Sequence, residues 1–553
     1  MKKPDHPKST KPQPAEQKSV SVRWGLVYGE WILLGLAVLA AALLFRDYGM
    51  GWDSAGQAMY GENTLNYFLS GFKDQAYFTA LPASVYYGTL FDLPSAALHR
   101  MLGLNPYTLR SLLTALCAIG TVPAVIRIGR HFGSERLALF SGLALLLMPQ
   151  FFGQGFINPK DIPLACAVAW TVLAICRVAG NGDTSWKALL GLGVACGITL
   201  GIRVSAVFIF VFLAAALAAR FGQSAVQRGF RAALPAKPEW RRLARRILAA
   251  GVLMWTVMVI AWPYAYQNLL LNPIRAVRVG LNFIYSYPVL FKGEFVESTN
   301  LPASYLPVYF SLILPLPLLA LLGVGTLGAT LALIRRWRER AAIALFTVLF
   351  WVGFPLAYVV LTRPNIYDGV RHFIFVLPAM ALLIGWAADA LATFLARFWG
   401  RATMTVILSA LFVSAAVPLG RWHPYQYAYL NALAGNRATL HERFETDYWA
   451  TSYKAAAEWL NQQQRKRSTP LRVLVAATPL SYPCFVHFLD PRIQSYRYTG
   501  EKPLDALPPG IDYYAGTVRY AWNRLLKNSP VVWEERRDGV LFCVIRGDPA
   551  TNP

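Results

Sequence analysis

SVYYGTLFDLPSAALHRML, residues 84–102, is the stretch on which the topology of this chain turns. Its apolar content suggests a membrane span, but Asp92, His99 and Arg100 interrupt the pattern, and Pro94 would kink a helix. Reading it as a span inverts everything that follows. The basic cluster Arg220–Arg246 would then lie outside, against the rule that Lys and Arg gather on the cytoplasmic side. The stretch is therefore expected to be an amphipathic helix on the outer membrane surface.

Working outward from it, the fold class is that of a polytopic α-helical membrane protein. Of the 553 residues 56% are hydrophobic and 15% charged, and ILLGLAVLAAALLF (32–45), LALFSGLALLLM (137–148) and LPLPLLALLGVGTLGATLALI (314–334) are apolar on every face. A helix of about 20 residues that is apolar all round matches the thickness of a bilayer core. The net charge of +24 would suit a nucleic-acid binder, but much of the excess lies in short clusters beside apolar runs, as orientation signals do. These clusters are Lys2–Arg23, Arg127/Arg130/Arg136, Arg220–Arg246, Arg335–Arg340 and Arg397/Arg401.

With all five in the cytoplasm, about eleven spans follow. They fall at roughly 26–46, 108–126, 137–151, 161–179, 187–202, 204–220, 247–266, 305–334, 341–361, 372–395 and 402–420. The expected organisation is a disordered cytoplasmic tail (1–23), a transmembrane domain (24–420) with a first outer loop at 47–107, and an outer domain (421–553). In that domain LRVLVAAT (471–478), DYYAG (512–516), PVVWEE (530–535) and GVLFCVIRG (539–547) read as strands, and ATSYKAAAEWLNQQQ (450–464) as a helix. It is a small α/β unit large enough for a core. Cys117, Cys166, Cys176 and Cys196 lie in or beside apolar runs and read as small core residues. Cys484 and Cys543 would share an oxidising compartment and could pair only if they approach within bonding distance.

On this topology the unexplained polar residues collect on the outer side. They are Asp53 in GMGWDSAGQAMYGE (49–62), Asn158, Lys160 and Asp161 in FGQGFINPKDIPL (152–164), Arg203 in GIRVS, and Arg371 and His372 in NIYDGVRHFIFVLP (365–378). Charges against a bilayer are expensive, so they pair or line a functional cavity. Two carboxylates with several cations at one leaflet suit an anionic group and a proton transfer. Each residue also has a plainer reading. Asp53 and Asp161 fit helix N-caps, Arg203 fits snorkelling to headgroups, and Arg371–His372 fit an anchor for a span. Lys160 alone reads as solvated or facing lipid phosphate. The aromatic loop 264–291 fits either an interfacial belt or a flank for a sugar.

There is no GxxxxGK[ST] loop, no GxGxxG opening a helix after a strand, no HExxH and no cysteine–histidine cluster. These absences speak against a nucleotide-powered pump and against a zinc site. A transporter or flippase for a lipid-linked sugar stays open, although transporter charges tend to sit at the bilayer midplane on broken helices. A non-catalytic scaffold of an envelope assembly is the third reading.

The quoted motifs, in order and spacing, resemble the lipid-carrier-dependent glycosyltransferases of the GT-C fold. The resemblance is to enzymes akin to the protein O-mannosyltransferases and the lipid A aminoarabinose transferase. GWDSAGQAMYG, NPKDIP and YDGVRHFIFVLP carry the resemblance, and HPYQYAYLNALAGN (423–436) with FETDYWATSYKAAAEWL (444–460) resembles a bacterial branch. It runs from about 24 to 460 and is weak over the last 90 residues.

The resemblance implies a multi-pass enzyme of the bacterial inner membrane, with its N-terminus cytoplasmic and its C-terminal domain periplasmic. Such an enzyme moves a sugar from a polyprenyl phosphate to an acceptor hydroxyl on a glycan, lipid or protein, usually with inversion. Its partners are membrane lipid and that donor, with no nucleic acid. No cofactor and no metal are implied. Asp53 becomes the candidate base and Asp161 the second acid. Arg203, Arg371, His372 and Lys160 would hold the donor phosphate, and Asn158, Gln57 and Tyr367 would meet sugar or acceptor. The family often has Asp-Glu where this chain has Asp53-Ser54, which leaves Asp161 to supply the partner acid.

Overall fold

The computed structural model describes the backbone of residues 14–233, 237–282, 284–500 and 504–547, and side chains from residue 28 onward except those at 232–238. Of the expected tail, residues 1–13 lie outside the described residues, and the first helix already begins at Pro14.

Among the described residues seven helices are long and apolar enough to cross a membrane, or eight if the bent pair Glu135–Leu146 and Pro149–Ile157 is one span. The bend of 60° falls at Met148–Pro149, where proline removes a backbone donor. The three other expected spans are also helices. Tyr28–Leu44 and Trp186–Ile202 are shorter apolar helices, and Lys237–Val259 carries Lys237, Glu239, Arg241, Arg242, Arg245 and Arg246 in its first half. The expected count of eleven is thus matched in helix positions, while the apolar-length criterion alone gives seven or eight.

The stretch that decided the topology does not span. Its helix, Asp92–Leu102, has 11 residues, about 16 Å at 1.5 Å per residue and too short for a bilayer core of about 30 Å. Asp92 is buried and paired with Arg110 of helix Pro106–Phe132 at 2.5 Å. Just before it, Gly88 lies against the Gly201 carbonyl, where a β-carbon would come within 1.9 Å of that oxygen. This contact holds the first loop against the end of helix Trp186–Ile202, and so against Arg203.

Small residues also set the helix packing. Gly193 and Gly197 lie one turn apart on helix Trp186–Ile202, and β-carbons there would strike the Ala250 and Met254 carbonyls at 2.4 and 2.6 Å. Such small-xxx-small faces let helices approach closely where apolar lipid supplies little driving force.

After Arg421 the chain lays residues 423–452 across the helix ends before forming the sheet. Asn431 donates to the Ser311 and Leu314 carbonyls, both at 2.8 Å, and the Tyr427 backbone packs on Gly153. The sheet has five strands in the order β4–β3–β5–β7–β6. They are β3 (Arg472–Ala476), β4 (Gln494–Tyr498), β5 (Tyr513–Thr517), β6 (Val531–Arg537) and β7 (Val540–Gly547), with a hairpin of β1 (Pro288–Phe291) and β2 (Glu294–Glu297) apart from it. β3 runs parallel to β4 and β5, and β7 antiparallel to β5 and β6. The buried pattern of β5 and β7 reflects a core continuous with that of the helices. Cys484 and Cys543 are both buried, and they are not bonded to each other.

Candidate active site

Asp53 precedes helix Ser54–Leu69, but its side chain makes no capping hydrogen bond. Instead its Oδ2 accepts from Arg371 Nη2 at 2.8 Å. Among the described residues its Oδ1 has no hydrogen bond, and the side chain is 18% exposed. One carboxylate oxygen is therefore held and the other is open.

Arg371 begins the short helical turn at Arg371–Val376. Its side chain is 4% exposed and faces three acids. Besides Asp53 these are Asp368, at 2.8 Å from Nη1, and Asp161, at 3.7 Å from Nε. The guanidinium also lies over the Trp449 ring at 4.5 Å. The anchoring role for Arg371 is thus replaced by a buried junction of acids.

Asp161 opens the long helix Asp161–Ile175, whose N-cap Lys160 makes no side-chain capping bond, and Asn158 serves its first N–H instead. Asn158 Oδ1 accepts from the Asp161 backbone N–H at 2.9 Å, while its Nδ2 donates to Asp161 Oδ2 at 3.0 Å. Arg203 Nη1 donates to Asp161 Oδ1 at 2.6 Å. With both oxygens engaged and 3% exposure, Asp161 orients cations and has no free lone pair turned to solvent. Arg203, 18% exposed, pairs inward and does not snorkel.

Lys160 has no carboxylate partner among the described residues, and its ammonium sits 4.0 Å over the Tyr87 ring. That charge, against some opposing burial, holds the Tyr87 phenol below its ordinary range. His372 meets the edge of Tyr367 at 4.5 Å between ring centres. Gln57 lies one turn along from Asp53. Its backbone N–H bonds the Asp53 carbonyl at 2.9 Å, and its side chain joins no hydrogen bond of the cluster.

Several members of the cluster were not singled out by the sequence reading. Asp368, fully buried, accepts from Arg371, from Tyr287 at 2.9 Å and from Arg519 at 3.1 Å. Gln154 is a polar hub: it accepts from Asn158 and Trp449 and donates to Tyr448. Glu445 is buried near Arg519, and burial pushes its carboxyl well up. Tyr287 belongs to the aromatic loop, so one member of that loop does reach the site. Asp368 stands in the quoted motif YDGVRH, and Tyr448 and Trp449 in FETDYWATS. Arg519 had no sequence signal.

A cavity of about 470 Å³ adjoins the cluster. Its polar end carries Arg203, His372, Tyr87 and Tyr367. Its walls run down between helices Ile209–Arg228 and Ala341–Thr362 through Val211, Phe354 and Tyr358. Its lining thus combines an apolar wall with an end that carries Arg203 and His372.

Residues 108–262 match the family model described as dolichyl-phosphate-mannose-protein mannosyltransferase, a segment that holds Lys160, Asp161 and Arg203 but neither Asp53 nor Arg371. Among solved structures, the Archaeoglobus fulgidus oligosaccharyltransferase tethered to an acceptor peptide aligns over 95% of this chain and 75% of that one, with TM-score 0.50 and 13% identity. The chain has the GT-C fold. Two further structures are similar to this chain at lower scores. ArnT from Cupriavidus metallidurans bound to undecaprenyl phosphate aligns over 94% of this chain and 98% of that one (TM-score 0.49, 15% identity). The arabinofuranosyltransferase AftD from Mycobacteria aligns over 94% and 40% (TM-score 0.43, 12% identity). No curated protein matches the sequence. The expected fold class is the one observed, and the chain gathers its charges where the loops between helices meet the polar domain.

Proposed function

We propose that this protein transfers a sugar from a polyprenyl phosphate to an acceptor hydroxyl, at the membrane face that carries the polar domain. The observation that carries this reading is the cavity. It joins an apolar passage between membrane helices to an end carrying Arg203, whose partner Asp161 also meets the Arg371 that holds one oxygen of Asp53. The match of 108–262 to a family named for a polyprenyl-type phosphate sugar donor supports the same class of substrate.

The chemistry balances as a single displacement. Asp53 takes the proton of the acceptor O–H as that oxygen attacks the anomeric carbon. The bond between that carbon and the phosphate oxygen breaks, and the sugar inverts. Polyprenyl phosphate leaves with the bonding electron pair. Arg203 lines the cavity's polar end and Lys160 stands over Tyr87, which lines it too; they receive the growing charge, and Arg371 joins them once the phosphate competes with Asp53 for it. Preorganised donors of this kind contribute about 3–4 kcal/mol each, and a placed base about 10²–10⁴-fold. Asp161 keeps Arg203 and Arg371 in register and takes no proton. His372 and Tyr367 border the sugar, with Asn158 holding the turn into the helix. The distribution of Lys and Arg supports a cytoplasmic N-terminus with the polar domain on the opposite side, which in the bacterial inner membrane implied by the family resemblance is the periplasm.

The test is transfer of labelled sugar from defined polyprenyl-phosphate sugars to membrane extracts by the purified protein. Formation of a glycoside is the expected result. Movement of the lipid-linked sugar across proteoliposomes with no glycoside formed would overturn the reading in favour of a flippase.

A further inference from the structure

The polar domain is joined to the helices by more than apolar packing, because one of its arginines enters the acid cluster. Arg519 follows β5 and is almost wholly buried. Its Nη1 donates to the Tyr448 carbonyl and its Nη2 to Asp368 at 3.1 Å. Its guanidinium lies 3.9 Å over the Trp52 ring, the residue before Asp53, and Tyr287 and Tyr520 flank it at 5.4 and 5.0 Å. The backbone that delivers it is unusual. Tyr520 and Ala521 both have left-handed φ, 54° and 57°, which residues with a β-carbon rarely adopt in succession. Such conformations persist where the surroundings over-determine them and tend to cluster at functional sites.

We infer that Arg519 is a positioning residue through which the polar domain sets the geometry of Asp53, and this rests on the transferase reading above. It acts along two routes. Through Asp368 it shares the charge that Arg371 would otherwise face alone, so that Arg371 remains available to Asp53 and Asp161. Through the face of Trp52 it fixes the backbone just before Asp53, whose neighbour Trp52 also donates its N–H to the Trp449 carbonyl at 3.2 Å. Arg519 does not line the donor cavity. Its influence is therefore expected on the chemical step and not on donor affinity.

The experiment compares wild type, Arg519→Lys, Arg519→Met, Asp368→Asn and the double variant Arg519→Met/Asp368→Asn, measuring kcat, donor KM and Tm. Arg519→Met is expected to lower kcat about 30-fold and leave donor KM within about twofold. Arg519→Lys, which keeps the charge and loses the fork, recovers part of kcat. The double variant loses less than the product of the single losses, because both act on one junction. A wild-type kcat in folded Arg519→Met, a change confined to KM, or strictly multiplicative losses would overturn the inference. Should wild type transfer no sugar from any donor, the transferase reading fails first. The relay is then read from Tm alone, where strictly additive shifts for Arg519→Met and Asp368→Asn would overturn it and coupled shifts would support it.

Discussion

The two ends of the helix bundle both carry ion pairs, and they are built differently. Away from the polar domain, Arg136 pairs with Asp389 at 2.5 Å, and Arg130 meets Glu30 and Glu135 at 2.8 and 2.7 Å. These side chains are partly open, at 34% and 20% for the Arg136–Asp389 pair. Next to the polar domain, Arg371 is shared by Asp53, Asp161 and Asp368, with Arg203 and Arg519 each holding one of those acids as well. A cavity does not distinguish the ends, since one of about 490 Å³ lies beside Arg130 and Asp389. Burial and sharing do. A partly exposed pair ties two helices together and is worth little. In a buried cluster where three acids share one arginine, each pairing depends on the others.

Breaking the shared junction should have the largest effect. Arg371→Met leaves three acids short of a cation, and removing one partner of a buried pair costs about 3–5 kcal/mol. Tm and transfer should fall together, as thermal unfolding beside the activity assay would reveal. Asp161→Asn comes next. It loses the charge that orders Arg203 while keeping the shape, for about 2–3 kcal/mol of transition-state stabilisation, or roughly 30–160-fold in kcat/KM. Retained activity would mean that Arg203 does not depend on Asp161.

The sequence and the structure meet unevenly across this comparison. Asp53, Asp161, Arg203 and Arg371 were legible because each stands where an apolar run meets a loop, and a charge there demands an explanation. The same argument located the helices, since uninterrupted apolar runs have few alternatives. Asp368 was hidden by its neighbours: beside Gly369 it reads as a turn residue, and its φ of 56° is indeed left-handed. Arg519 was hidden by its setting, a polar domain in which an arginine has no apolar background to stand against. The pairing of Asp92 with Arg110 was also out of reach, because a pattern taken for a surface helix cannot reveal which charge turns inward.

A buried acid without an arginine sharpens the contrast further. Asp447 is held by the Tyr427 and Ser452 hydroxyls and by the Thr451 backbone N–H at 3.0 Å. Burial lifts its pKa to about 6. Because the folded value lies above the ordinary carboxylate value, the associated stability is fully present below about pH 4 and lost as pH rises through 6. The loss is on the order of 2 kcal/mol. Denaturant midpoints between pH 4 and 7 should carry this slope in wild type, and Asp447→Asn should flatten it. The smallest effect belongs to the far end. Arg136→Met should cost under about 1 kcal/mol and leave transfer per folded molecule unchanged. A large loss of transfer there would erase the distinction between the two ends.

The central claim is that Asp53, unlike the Asp161 and Asp368 carboxylates that share Arg371 with it, has an oxygen free to take a proton. The most direct measurement is the single-turnover rate of sugar transfer from a polyprenyl-phosphate donor by Asp53→Asn, beside its donor affinity and Tm. The account predicts a rate lower by about 10³-fold with near-normal donor binding and Tm. A folded Asp53→Asn that transfers at the wild-type rate would contradict it.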